Sequence, residues 1–154
     1  MDKKQITELL VDSGWNEKRT VNIDETYSFL KNEGYTINDN QLKFLRQNEG
    51  LLIEFDNPRL PKLKEILNLN SVEAATTVFR SLVEEYEKYC GTSFVIIGEI
   101  EQENMTVYID SKGEFYGGFD DCLIKLGESF EECLFNLVNG TKLEVIFLGR
   151  EYGI

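Results

Sequence analysis

The sequence predicts an α+β fold: a mostly antiparallel sheet packed with several helices. Three observations carry this. Helical spacing of apolar residues dominates the first half of the chain. Four short strand-like runs then follow one another between residues 94 and 126. Tight-turn residues, not helices, separate most of those runs, which makes the strands antiparallel neighbours.

The first helix spans Lys3 to Asp12, with Ile6, Leu9 and Leu10 on one face. Gly14 supplies a left-handed stop and Trp15 follows as the apolar cap residue. A second helix runs behind Asp24, from Glu25 to Glu33, with Ile23, Tyr27 and Leu30 sharing a face before Gly34-Tyr35. The third helix has the clearest start. Asn38 and Gln41 form a capping box, Ile37 and Leu42 stand at staple positions, and Gly50 closes it. Leu51 to Phe55 reads as a strand. The stretch from Asn57 to Leu69 holds Pro58 and Pro61 and reads as an irregular connection with room for a short strand.

A long helix is expected next, from a capping box at Asn70 and Glu73 to Gly91, with Val78, Leu82, Tyr86 and Tyr89 as its apolar stripe. Phe94–Ile100, Met105–Ile109, Phe115–Phe119 and Cys122–Leu126 are the strands of the meander. Glu103-Asn104 and Asp110-Ser111-Lys112-Gly113 are the turns. A fifth helix starts at Ser129, boxed by Glu132, and presents Phe130, Cys133, Leu134, Leu137 and Val138. Gly140 ends it and Leu143 to Leu148 reads as a closing strand. With no low-complexity linker and no internal repeat, residues 1–154 form a single domain.

Composition narrows the chemistry. Apolar residues make up 42% and charged residues 29%, a globular balance. No apolar run approaches membrane-spanning length, and Met1 to Leu10 mixes charged with apolar residues, unlike a secretory signal. The expected location is therefore the cytoplasm, where the sequons at Asn104 and Asn139 carry no meaning. Histidine is absent, which removes the usual general base and the commonest transition-metal ligand. Cys90, Cys122 and Cys133 form no C-x-x-C pair and read as reduced, small core residues. The net charge of −12 is uneven: residues 1–80 carry 11 basic and 13 acidic residues, residues 81–154 carry 5 and 15. Such a field repels nucleic-acid phosphates and attracts a cationic protein, although acidity also serves plain solubility.

No motif points to catalysis. Asp110-Ser-Lys-Gly-Glu fails the calcium-loop pattern because Lys112 stands where an oxygen ligand is needed, and a hairpin turn closed by Gly113 fits better. Gly117-Gly118 belongs to no phosphate-binding pattern and marks a bulge or a close backbone approach. Asp120-Asp121 fits a solvated turn, a metal pair or an acidic contact patch. No cofactor is implied.

Ser13-Gly14-Trp15 near the start of the chain and Gly113-Glu114-Phe115-Tyr116-Gly117-Gly118 downstream resemble stretches of the third subgroup of the SUKH superfamily of bacterial immunity proteins. Ser13-Gly14-Trp15, followed by Arg19-Thr20-Val21, is similar to that subgroup's opening. Ile96-Ile97-Gly98-Glu99, Met105 to Asp110, Gly113 to Gly118 and Leu126-Gly127-Glu128 are similar to its later run, in the same order. The resemblance implies a compact α+β domain, made beside a toxin, that neutralises that toxin by direct binding and has no catalytic residues. It also implies structural roles for Trp15, Arg19, Gly98 and Gly113.

Charge clustering then selects candidate contacts: Glu99, Glu101, Glu103, Asp120, Asp121 and Tyr116. The expected partner is a cognate, cationic toxin domain, with a nuclease as one candidate because its site must hold phosphate. Two other readings stay open: an interaction adaptor without a toxin, and a carboxylate–metal hydrolase built on Asp110, Asp120 and Asp121.

Overall fold

The computed structural model describes residues 1–147, which hold six helices and seven strands. The order is α1 (Lys3–Asp12), α2 (Asp24–Asn32), α3 (Asp39–Asn48), β1 (Leu52–Asp56), β2 (Lys64–Asn68), α4 (Ser71–Ala75), α5 (Arg80–Cys90), β3 (Phe94–Ile100), β4 (Met105–Asp110), β5 (Phe115–Phe119), β6 (Cys122–Gly127), α6 (Phe130–Asn139) and β7 (Val145–Phe147). All seven strands form one sheet in chain order, each antiparallel to the one before. The fold is therefore α+β, as the spacing of strands and turns predicts. Leu148, expected in the last strand, lies outside the described residues.

Local chemistry sets the helix ends. Asn38 Oδ1 accepts from Gln41 N–H at 2.9 Å and Gln41 Oε1 accepts from Asn38 N–H at 2.8 Å, the reciprocal box read from the sequence. α2 starts one residue earlier than expected. Ile23 stands at its cap and Asn22 Oδ1 accepts from Asp24 N–H at 2.9 Å.

The long helix expected after Asn70 is two helices. Thr76 Oγ1 donates to Glu73 O at 2.6 Å and Thr77 Oγ1 donates to Ala74 O at 2.7 Å. These hydroxyls engage the carbonyls that end α4, and the chain turns before Phe79 caps α5. The break rotates the apolar stripe: Val83 and Tyr86 are buried, whereas Tyr89 is exposed. The proline segment does carry a strand, β2, and its odd-numbered residues Glu65 and Leu67 point inward.

The central strands β3 to β5 are buried on both faces, whereas β1 exposes one face. Along β4, Met105, Val107 and Ile109 face one side, and Thr106, Tyr108 and Asp110 the other. On the first side Phe44 of α3 meets Phe115 and Phe130 of α6 edge-on, and those two rings pack tilted against each other. On the second, Tyr86 of α5 packs on Tyr108, and Phe94 stacks on Tyr116 at 4.9 Å. Gly117 and Gly118 serve one face each. A Cβ on Gly117 would sit 2.3 Å from Met105 Sδ, and one on Gly118 would sit 2.9 Å from Tyr86 Cε2. The glycine pair is thus neither a bulge nor a close approach of another backbone, since the atoms nearest to it are side-chain atoms. It lies in regular pairing between β4 and β6 and makes room for large side chains.

A polar hub joins the helical half to the sheet. Arg19 donates to the Gln47 and Glu49 carbonyls at 2.6 and 2.9 Å, covering the end of α3. The Glu49 carboxylate accepts from the Ser71 hydroxyl at 2.7 Å and from its N–H at 3.1 Å, holding the start of α4. Burial raises the Glu49 carboxyl above its ordinary range, against the pull of those bonds and of Arg19. Gly98 is required by contact: a Cβ there would fall 2.3 Å from Asn68 O. Gly113 is required by its φ of +90°. The three cysteines are free; burial pushes the thiol of Cys133 up most strongly, and those of Cys90 and Cys122 also rise.

Candidate functional site

The β3–β4 and β5–β6 turns lie at the same end of the sheet, because Thr106 pairs with both Glu99 and Gly118. Both turns use a non-glycine residue in the left-handed region, Asn104 at φ 51° and Asp120 at φ 42°. Beside them lies a cleft of about 430 Å³, bordered by Val78, Leu82, Glu99, Asn104, Thr106 and Asp120. The Tyr86 hydroxyl donates to the Asp120 carbonyl at 2.5 Å, fixing that turn against α5.

The structure brings most of the predicted carboxylates to this end. Glu99 and Asp120 line the cleft. Burial raises the Glu99 carboxyl above its usual range, and the like charges of Glu101 and Glu73 raise it further. Asp121 sits in the same turn as Asp120. Among the described residues, no ion pair reaches Glu99, Glu101, Asp120 or Asp121. Phe79, in the segment that follows Val78 at the cleft wall, is 83% exposed.

Two predicted contacts lie elsewhere. Glu103 is ion-paired to Arg59 and borders a different cavity. Tyr116 is 7% exposed and stacked on Phe94, so its ring belongs to the core. Burial, with Asp110 as the next cause, raises its hydroxyl well above the ordinary tyrosine range. Its place in β5 turns the ring onto Phe94 and away from solvent.

The three aspartates of the hydrolase reading do not converge. Asp110 is buried, and its Oδ1 accepts from the Lys112 and Glu114 amides at 2.9 Å each, closing the β4–β5 turn. That turn is at the opposite end of β4 from Asp120, on the order of 15 Å away along the strand rise. No group of three or more His, Cys, Asp or Glu among the described residues is placed to hold a metal ion.

What the arrangement can do is bind: an acidic cleft with like charges close together, beside an exposed aromatic ring. Comparison with known proteins fits this. A family profile described as SUKH-3 immunity protein matches residues 2–140. The chain belongs to the SUKH-3 immunity protein family. No curated protein and no solved structure matches it. The family match supports an immunity role, which implies a toxin as the partner of this SUKH-3 protein. No helix among the described residues is long and apolar enough to cross a membrane.

Sequence reasoning missed Glu65 and Arg59, because the segment that carries them read as an irregular connection. A signal was present. Glu65, Leu67 and Leu69 are in phase, so a strand there must turn a carboxylate toward the core.

Proposed function

We propose that this SUKH-3 protein neutralises a cationic toxin domain by direct binding through the acidic cleft. Glu99, Glu101, Asp120 and Asp121 supply the charge and Phe79 the apolar anchor. The observation that supports this reading most is the electrostatic state of Glu99. It is partly desolvated and its charged neighbours, Glu101 and Glu73, are of like sign. A basic partner relieves that repulsion on binding, so the cluster is better satisfied in a complex than alone. An aromatic ring exposed at the edge of such a cleft suits an interface, where aromatic anchors carry much of the affinity. A nuclease fits as the partner because its phosphate-binding site is basic, and a cytoplasmic encounter fits a protein that guards its own producer.

The test is co-purification with the C-terminal domain of the toxin encoded beside this protein's gene, at low and high salt. A stoichiometric complex whose association slows with salt is expected. The double change Asp120→Lys and Asp121→Lys is expected to slow association and flatten its salt dependence. Unchanged kinetics in that variant remove the turn from the interface. Absence of any complex rejects the toxin and makes an adaptor role the leading reading.

A further inference from the structure

β1 is an edge strand: among the described residues it pairs with β2 alone. That pairing fixes which backbone groups are left over. Leu69 N–H donates to Leu51 O at 2.9 Å and Asn57 N–H donates to Leu63 O at 3.0 Å, so the odd-numbered residues here turn their N–H and C=O groups toward β2. The groups of Leu52, Glu54 and Asp56 therefore point outward from the edge, at rungs about 7 Å apart.

The same three residues carry the exposed side chains of the strand, while Ile53 and Phe55 enter the core. Each open rung thus offers a backbone donor, a backbone acceptor and a solvent-facing side chain together. Leu52 is 57% exposed. Glu54 reaches no ion pair among the described residues, and the Asp56–Lys64 pair lies in solvent, where such pairs are weak and readily exchanged. The common guards of an exposed edge are missing: β1 contains no proline and no lysine, and its pairing with β2 runs without a bulge.

The one guard left is charge of a single sign. When two copies of β1 pair antiparallel with their exposed faces together, Glu54 and Asp56 of one copy meet those of the other, and like charges placed opposite are destabilising. A basic strand meets attraction at the same rungs. Leu52, Asn68 and Glu99 lie in one row across the sheet, so a strand added beyond β1 extends the face that carries Glu99 and leaves the cleft, two strands away, open.

We propose that the β1 edge binds an extended segment of a partner protein by antiparallel strand addition, the segment carrying lysine or arginine at alternate positions. Main-chain hydrogen bonds to Leu52, Glu54 and Asp56 supply the affinity, and the two carboxylates select the sequence. Antiparallel addition continues the pattern of the sheet, and the residue opposite Glu54 then both bonds its backbone and faces its carboxylate. The edge is separate from the surface assigned to the toxin, and its test needs no toxin.

The test is titration of the full chain with an acetylated, amidated seven-residue peptide alternating valine and lysine, followed by amide NMR and hydrogen exchange. Slowed exchange of the Leu52, Glu54 and Asp56 amides is expected, with those of Ile53 and Phe55, already bonded to β2, unchanged. N-methylation of the three lysines blocks the amides that face β1 and is expected to weaken binding roughly tenfold or more; N-methylation of the inner valines, whose amides face away, is expected to change it by less than about twofold. Glu54→Lys is expected to weaken the unmethylated peptide by roughly threefold to tenfold, and the methylated peptides need no variant of the protein. Equal affinity of the two methylated peptides, or shifts centred on Glu99 and Asp120 in place of β1, overturns the proposal. Self-association of the peptide-free chain that slows the same three amides also overturns it, in favour of a second copy.

Discussion

At the scale of single residues, the positions that tolerate least are those where one atom already touches a neighbour on each side. Gly118 is such a position. A methyl group there would meet the Tyr86 and Tyr108 rings at 2.9 and 3.0 Å, and both rings are fully buried. Neither can swing away without opening the aromatic cluster. Gly118→Ala is therefore expected to cost roughly 3 kcal/mol of stability, read as a lowered denaturation midpoint. The cost at this position is steric. By contrast, Arg19 acts by hydrogen bonding, and Trp15 by covering the apolar core beside α1, where it is only partly buried. These roles agree with the structural duties that the family resemblance implies for both residues.

At the scale of elements, capping chemistry was the most legible signal. Asn38 and Gln41 are the two ends of a run of four polar residues, yet they define the start of α3 because each satisfies the other's backbone N–H. Asn38 does a second task that no local pattern reveals: its Nδ2 donates to Ser111 O at 2.8 Å, tying α3 to the β4–β5 turn. Asn38→Ala is expected to cost about 1 to 2 kcal/mol, at the upper end for a cap because that tie is lost too. Thermal melts of the two proteins check this. The break between α4 and α5 was hidden for a related reason. Apolar spacing runs through it unbroken, and the two threonine hydroxyls that bond back to carbonyls mark where the first helix stops. The candidate site was legible in its charge and not in its geometry. Acidic residues at the turns were readable from sequence. Whether Tyr116 faces outward depended on the stacking with Phe94 and on helix α5 covering that face, and both are tertiary facts.

At the scale of the whole molecule, charge and stability are coupled. Glu99 is held above the ordinary carboxylate range by burial, then by Glu101 and Glu73. A carboxyl raised in the folded state takes up its proton at higher pH than it does in the unfolded chain. Its contribution to stability is therefore greatest when protonated and is lost as pH rises through its folded value. Glu99→Gln is accordingly expected to melt higher than the parent near neutral pH, and the gap is expected to close as pH falls into the carboxylate range. A gap that is constant across that range would mean that charge at Glu99 is not the cause. The seven strands are paired strictly in chain order, and this governs how the molecule comes into being. As the chain emerges during synthesis, each new strand finds its template already made, and no strand must wait for a later one to slip in between. New strands add at one edge, while the outer edge of β1 stays unpaired from the start. A protein that guards its producer is needed early, and a sheet that assembles in the order of translation shortens the interval before it can act.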